Sequence, residues 1–223
     1  MKEKRLILAS GSPRRNELLQ LFGIPFSKKP ADIDERKNVT ESPRQYVERM
    51  ALEKGRTCDL PANGFVLSAD TIVDLDGLVL GKPSDENDAK RILKLMRTKT
   101  HRVYTSLCLR NSDEGSVTTA VCLTNVFMRD YSDKEIEEYL ARGIYRDKAG
   151  AYAIQDSQFH PVERIDGCYA NVMGLPLCHV YRLLRQGGFS LDIEIADLCQ
   201  RYNDINCEVY PSILNEQNYE SEK

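Results

Sequence analysis

The segment Ser10-Gly11-Ser12-Pro13-Arg14-Arg15 brings two hydroxyls, a glycine and two guanidiniums to the point where an apolar run, Arg5 to Ala9, gives way to a helical pattern. Ser12 followed by Pro13 reads as an N-cap and first helical residue. The unpaired N–H groups and positive dipole end of such a helix start favour an anion. Arginine suits phosphate oxygens through its planar fork. Either the segment holds a phosphate, or Ser12 only caps the helix and both arginines are solvated.

Asp70-Thr71 closes a second apolar run, Phe65 to Ala69. A carboxylate at the carboxyl end of a strand in an open α/β sheet lies where ligands bind. There Asp70 could hold a divalent metal, take a proton from water, or both; Thr71 could donate to a phosphate. The plainer alternative is an aspartate that caps the turn. Lys82, between Gly81 and Pro83, reads as a positioned charge, whereas Lys54 shares the apolar face of its helix and either snorkels or reaches a phosphate. Asp32-Ile33-Asp34-Glu35 is an acidic loop, solvated by default. Gln155 ends an expected strand near Tyr152–Ile154, where its amide offers the donor and acceptor needed to read a base edge. Ile165 to Pro176 reads as a close-packed strand, turn and helix start. His101, His160 and His179 lack an i, i+4 spacing and a nearby cysteine pair, which argues against a zinc site. Neither a nucleophile elbow nor a GxxxxGK[ST] loop occurs.

The elements that must carry these residues follow from periodicity. Arg5–Ala9 is an expected strand, followed by a helix that Gly23 stops; Ile24–Thr40 is polar and irregular. Helical spacing of Tyr46, Val47, Met50, Ala51 and Lys54 predicts a helix over 42–57. Ile72-Val73 and Leu78-Val79-Leu80 flank Asp74–Gly77 as a hairpin. A helix over 85–96 is expected with Ser84 as its cap. Val103–Arg110 and Val117–Met128 read as antiparallel strands, and Ser132 with Glu135 forms a capping box for a helix to Arg142. A short strand at Val162–Ile165 and a helix over Leu175–Leu184 follow. The order gives an α/β fold with a mixed sheet. Gly187-Gly188 marks a boundary between residues 1–187 and an extension, 188–223, in which Leu191–Tyr202 reads as an amphipathic helix. Asn215–Lys223 is polar enough to fray.

The chain has 223 residues and 31 basic against 34 acidic side chains, a net charge of −3. Near-neutrality disfavours a nucleic-acid polymer as partner but not a small polyanion. No run approaches the ~20 apolar residues of a membrane span, and the first residues lack a signal-peptide pattern. Seven cysteines at irregular spacing, without CxxC, read as core thiols in a reducing cytoplasm.

Taken in order, Leu8-Ala9-Ser10-Gly11-Ser12-Pro13-Arg14-Arg15, Ala69-Asp70-Thr71-Ile72-Val73, Gly81-Lys82-Pro83, His101-Arg102-Val103-Tyr104-Thr105, Asp147 through Gln155, and Asn171-Val172 with Gly174-Leu175-Pro176-Leu177 resemble the Maf family of nucleoside triphosphate pyrophosphatases. The resemblance implies an elongated mixed sheet with flanking helices and two lobes around a cleft, of the Maf and inosine-triphosphatase-like kind. It implies hydrolysis between the α- and β-phosphates of a nucleoside triphosphate, with Mg²⁺ or Mn²⁺, and is compatible with a homodimer. By position, Asp70 resembles the family's general base, and Glu35 with Asp70 its metal support. Arg14, Thr71 and Gln155 match positions linked to substrate choice; Ser12, Arg15, Lys54 and Lys82 match the groups around the triphosphate. The Asp147–Gln155 block is similar to the branch acting on dTTP and UTP, with 5-methyl-UTP and pseudo-UTP as further substrates by analogy. Ala153 stands where the family commonly has glycine, and the tail after Gly187 exceeds the family's core. A 7-methyl-GTP or other purine-directed pyrophosphatase, separable by a nucleotide panel, and a nucleotide-binding regulator of septum formation, which would tolerate loss of Asp70 or Glu35, are the alternatives.

Overall fold

The computed structural model describes residues 4–60, 62–215 and the backbone of 221–222. Its elements run β1 (Arg5–Leu8), α1 (Pro13–Gln20), β2 (Phe26–Lys28), α2 (Pro43–Arg56), β3 (Gly64–Leu75), β4 (Leu78–Leu80), α3 (Glu86–Met96), β5 (Thr100–Asn111) and β6 (Val117–Met128). There follow α4 (Asp133–Ala141), two short 3₁₀ turns (Ile144–Asp147 and Ala149–Ala151), β7 (Val162–Asp166), α5 (Tyr169–Val172), α6 (Leu177–Gln186), α7 (Ile195–Asn203), α8 (Tyr210–Asn215) and β8 (Ser221–Glu222). One mixed sheet joins the strands in the order β2-β1-β3-β5-β6-β7, with β4 on β3 and β8 on β6. β1 runs parallel to β2 and β3; the other pairings are antiparallel.

Strands β3, β5 and β6 are long enough to pass through two hydrophobic cores. Around β1 lie Leu18, Leu19 and Phe22 of α1 and its end, Phe65, Leu107 and the buried face of α6. Beyond the middle of the sheet, Ile92, Leu93 and Met96 of α3 meet Ile136, Tyr139 and Leu140 of α4, with Tyr131, Tyr152 and Phe159. Helix starts are fixed locally: Ser12, Ser42 and Ser132 each accept a backbone N–H, and the latter two complete capping boxes with Gln45 and Glu135.

Several expectations are corrected. Phe65–Ala69 and Ile72–Val73 belong to one strand, so Asp70-Thr71 lies in mid-strand, not at a strand end. The cap of α3 is Asp85, which accepts from the Asp88 N–H at 2.8 Å, while the Ser84 N–H is taken by the Asp88 carboxylate. Phe26–Lys28, in the stretch read as irregular, forms a short parallel edge strand. Tyr152–Ile154 is not a strand. Gly150 and Ala151 both take positive φ, 72° and 59°, and Asp156 accepts from the Phe159 N–H and pairs with Arg142, so the chain turns instead of pairing. In the extension α7 starts later than Leu191, and Leu191, Ile195, Cys199 and Ile213 join the core around α6. Residues 216–220 and 223 of the expected frayed end lie outside the described residues; Ser221–Glu222 pair with Val117–Thr118. Among the described residues the seven cysteines form no disulfide, and six of them are buried. Among the described residues no helix is long and apolar enough to cross a membrane.

Candidate active site

The site arises from a split along one edge of β3. β1 covers Gly64–Leu67 and β4 covers Val73–Leu75, which leaves the edge between them without a strand partner among the described residues. Successive side chains of a strand point to opposite faces. Asp70 and Thr71 would therefore be separated by the sheet if the edge were covered. With the edge bare, both line one cleft of about 570 Å³, together with Ser12, Arg14, Arg15, Glu35, Lys54, Lys82 and Gln155. That volume suits a nucleotide-sized ligand.

On the Thr71 face the polar groups are locked together. The Arg15 guanidinium, delivered by the first turn of α1, donates through Nε to the Gly174 carbonyl at 2.9 Å. Nη1 donates to the Ala69 carbonyl at 2.7 Å, and Nη2 donates to Thr71 Oγ1 at 2.9 Å. The Ala69 carbonyl sits on the bared edge, so the arginine replaces a missing ladder partner, as a buried carbonyl requires. Thr71 Oγ1 also meets Thr105 Oγ1 at 2.8 Å, and Thr105 donates to the Asn171 carbonyl. Gly174 takes φ +103°, a conformation that L side chains rarely adopt, so the turn that offers its carbonyl requires glycine. Burial lowers the Arg15 pKa, with Asp70 and Glu35 acting in the opposite sense. Arginine nonetheless stays charged, because its ordinary value lies so high.

On the other face α2 lies against β3. Gly55 makes this close approach possible, since a Cβ there would fall 2.8 Å from Ser68 Oγ. Lys54 is thereby brought to Asp70, with Nζ–Oδ1 at 2.6 Å, and the same ammonium meets Glu35 Oε1 at 2.6 Å. Lys54 neither snorkels nor stands free. The side chains of Lys54 and Asp70 are only 11% and 13% exposed, that of Glu35 59%. Burial pushes the Glu35 carboxyl up, but the bond to Lys54 and the charges of Lys54, Lys82 and Arg15 hold it below its usual range.

Around these walls, Ser12 accepts from the Arg15 N–H as the α1 cap, and Arg14 pairs with Glu17 at 2.8 Å. Lys82 is exposed at the rim, with no hydrogen-bond or ion-pair partner among the described residues. Gln155 lines the cleft from a turn held by the Asp156–Arg142 pair, not from a strand end. Every residue singled out for a site thus borders the cleft. Tyr46 borders it too, and the sequence offered a signal: Tyr46, Met50 and Lys54 share one stripe of α2.

Two carboxylates thus meet one ammonium in a cleft of an α/β protein, next to a helix start rich in guanidinium and hydroxyl groups. The chain belongs to the Maf family of Maf-like proteins, which matches residues 5–187. It is 45% identical over 186 residues to a dTTP/UTP pyrophosphatase of Citrifermentans bemidjiense, covering 83% of this chain and 96% of that protein. A dTTP/UTP pyrophosphatase of Syntrophomonas wolfei is 43% identical over 185 residues, 82% of this chain and 98% of the relative. Among solved structures, a HAM1 protein from Coxiella burnetii is similar with a TM-score of 0.41 and 12% identity, over 58% of this chain and 75% of that one.

Proposed function

We propose that the protein is a nucleoside triphosphate pyrophosphatase acting on dTTP and UTP. The observation that carries the mechanism is the convergence of Asp70 and Glu35 on Lys54, at 2.6 Å each, in a cleft shared with Arg14, Lys82 and Gln155. Water attacks the α-phosphorus, a proton passes from that water to the Asp70 carboxylate, and the bond to the bridging oxygen breaks with release of pyrophosphate. Charge grows on phosphoryl oxygens along this path, so fixed cations stabilise the transition state more than the ground state. Lys82, from the rim, and Arg14 supply such charge, and the α1 start with Ser12 offers donors. Arg15 contributes its charge while its hydrogen bonds fix Thr71. Gln155 and Thr71 face the cleft as substrate-reading groups.

The donor set fits Mg²⁺ or Mn²⁺. The Lys54 ammonium stands as a cation between two hard oxygen ligands, and magnesium is typically held by one or two carboxylates plus substrate phosphates. Oxygens of the substrate phosphates would supply the remaining ligands. Asp70 and Glu35 would hold the ion, which supplies charge neutralisation on the phosphates. Seven cysteines that form no disulfide among the described residues support a reducing compartment, the cytoplasm.

A nucleotide panel assayed for pyrophosphate, with Mg²⁺ and with Mn²⁺, tests this reading. The expected preference is dTTP and UTP, with 5-methyl-UTP and pseudo-UTP close behind. Faster turnover of 7-methyl-GTP or purine triphosphates would reassign the substrate; no release from any nucleotide would favour a binding protein.

A further inference from the structure

Glu35 reaches the cleft from a segment with no regular structure between Lys29 and Glu41, and something must hold it there. Three side chains of α2 do so. Lys54 grips the Glu35 carboxylate, Tyr46 OH donates to the Glu35 main-chain carbonyl at 2.6 Å, and Arg49 Nη2 donates to the Arg36 carbonyl at 2.9 Å. Arg49 also pairs with Glu41 at the far end of the segment, where the Glu41 carboxylate accepts from the Asn38 N–H. A divalent cation between Asp70 and Glu35 competes with Lys54 for the same two oxygens. Once Lys54 is displaced, the side-chain grip is gone and only the main-chain anchors remain.

We propose that Tyr46 is a positioning residue for divalent-cation binding: its hydroxyl holds the Glu35 backbone so that the carboxylate stays at the cleft when a cation replaces the Lys54 ammonium. This rests on the reading of Glu35 and Asp70 as the cation ligands. The anchor is suited to the task because it grips the main chain and is indifferent to what the carboxylate binds. The phenol is a donor at neutral pH, since an ordinary tyrosine loses its proton only near ~10. Arg49 acts alongside it, one carbonyl further on.

The test is Mn²⁺ binding to the substrate-free full-length chain, followed by electron paramagnetic resonance, for wild type, Tyr46→Phe, Glu35→Gln and the double variant. Loss of one hydrogen bond should weaken Mn²⁺ binding about 3–10-fold in Tyr46→Phe. Glu35→Gln should weaken it further, and the double variant should bind no more weakly than Glu35→Gln, because Tyr46 acts only through Glu35. In turnover, Tyr46→Phe should need more Mn²⁺ for half-maximal rate yet recover nearly full kcat at saturation. Arg49→Lys, which loses the Arg36 contact, should shift in the same direction and serves if Tyr46→Phe folds poorly. Unchanged Mn²⁺ affinity in Tyr46→Phe alongside weakened binding in Glu35→Gln overturns the anchor and leaves Glu35 as a ligand. Unchanged affinity in Glu35→Gln overturns the ligand reading and the anchor with it. Equal weakening by Tyr46→Phe with and without Glu35 also overturns the anchor.

Discussion

The two faces of β3 meet the same cleft with different construction. On the Thr71 side, Arg15, Thr71, Thr105 and the carbonyls of Ala69, Gly174 and Asn171 bond to one another, leaving little for a ligand to rearrange. On the Asp70 side, an ammonium bridges two carboxylates, one of them carried by an irregular segment, and Lys82 stands at the rim without an ion-pair partner among the described residues. The first wall resembles a buried polar network, which specifies one geometry when every member is satisfied. The second is a set of charges that can exchange partners. Stability should therefore reside in the Thr71 wall and turnover in the Asp70 wall.

Asp70→Asn probes that division most strongly. The amide keeps the shape and a hydrogen-bond acceptor for Lys54 but cannot take a proton, so kcat should fall at least ~10²-fold while the fold persists. Pyrophosphate release and circular dichroism on the same preparation check both halves, and unimpaired release would remove Asp70 from the mechanism. Lys82→Ala should lower the rate at least ~10-fold, as loss of a transition-state charge does. Its thermal midpoint should not move, because Lys82 is exposed and has no ion-pair partner among the described residues; a large drop in stability would contradict the division. Arg15→Lys is the converse case. An ammonium cannot serve the Ala69 and Gly174 carbonyls and Thr71 together, and leaving buried acceptors unpaired should cost about 2–4 kcal/mol by calorimetry or urea unfolding.

How much of this was legible follows from what each feature depends on. Ser12-Pro13 as a helix start and Ser132 with Glu135 as a capping box are local, and both formed where the sequence placed them. The paired long strands and the amphipathic helices followed from periodicity. Asp-Thr interrupts an apolar run, a local pattern that marks a strand end. Continuity of β3 depends instead on pairing with β5, from Phe65–Asn111 to Asp74–Arg102, a partner distant in sequence. The bared edge depends on where β1 stops and β4 begins, which no local pattern records. The position of Lys54 on α2 fits a snorkelling residue and a phosphate contact equally; its two carboxylate partners come from an irregular segment and from β3. The apolar run Tyr152-Ala153-Ile154 predicts a strand ending at Gln155, but Asp156 and its partners Arg142 and Phe159 pull the chain into a turn.

Acid should separate the two walls by a smaller effect. His101 lies on the Thr71 face of β5, buried, with Nε2 at 2.9 Å from the Tyr152 hydroxyl, and burial pushes its pKa down to about 4. An unfolded histidine titrates near ~6.5. Between these values the unfolded chain binds the proton and the folded one does not, so stability must fall as pH drops from about 6.5 towards 4. On the Asp70 face Glu35 is held below its usual range despite its burial, by the bond to Lys54 and the neighbouring cations. His179, buried on α6 and pushed down to about 4 by burial with Arg182 adding, contributes in the same direction. Urea unfolding of wild type and His101→Gln at pH 7 and pH 5 isolates the first term. Wild type should lose about 2 kcal/mol more than the variant over this interval. Equal losses in the two proteins would mean that His101 accepts its proton without leaving the fold, and that the Thr71 wall is less tightly closed than its hydrogen bonds imply.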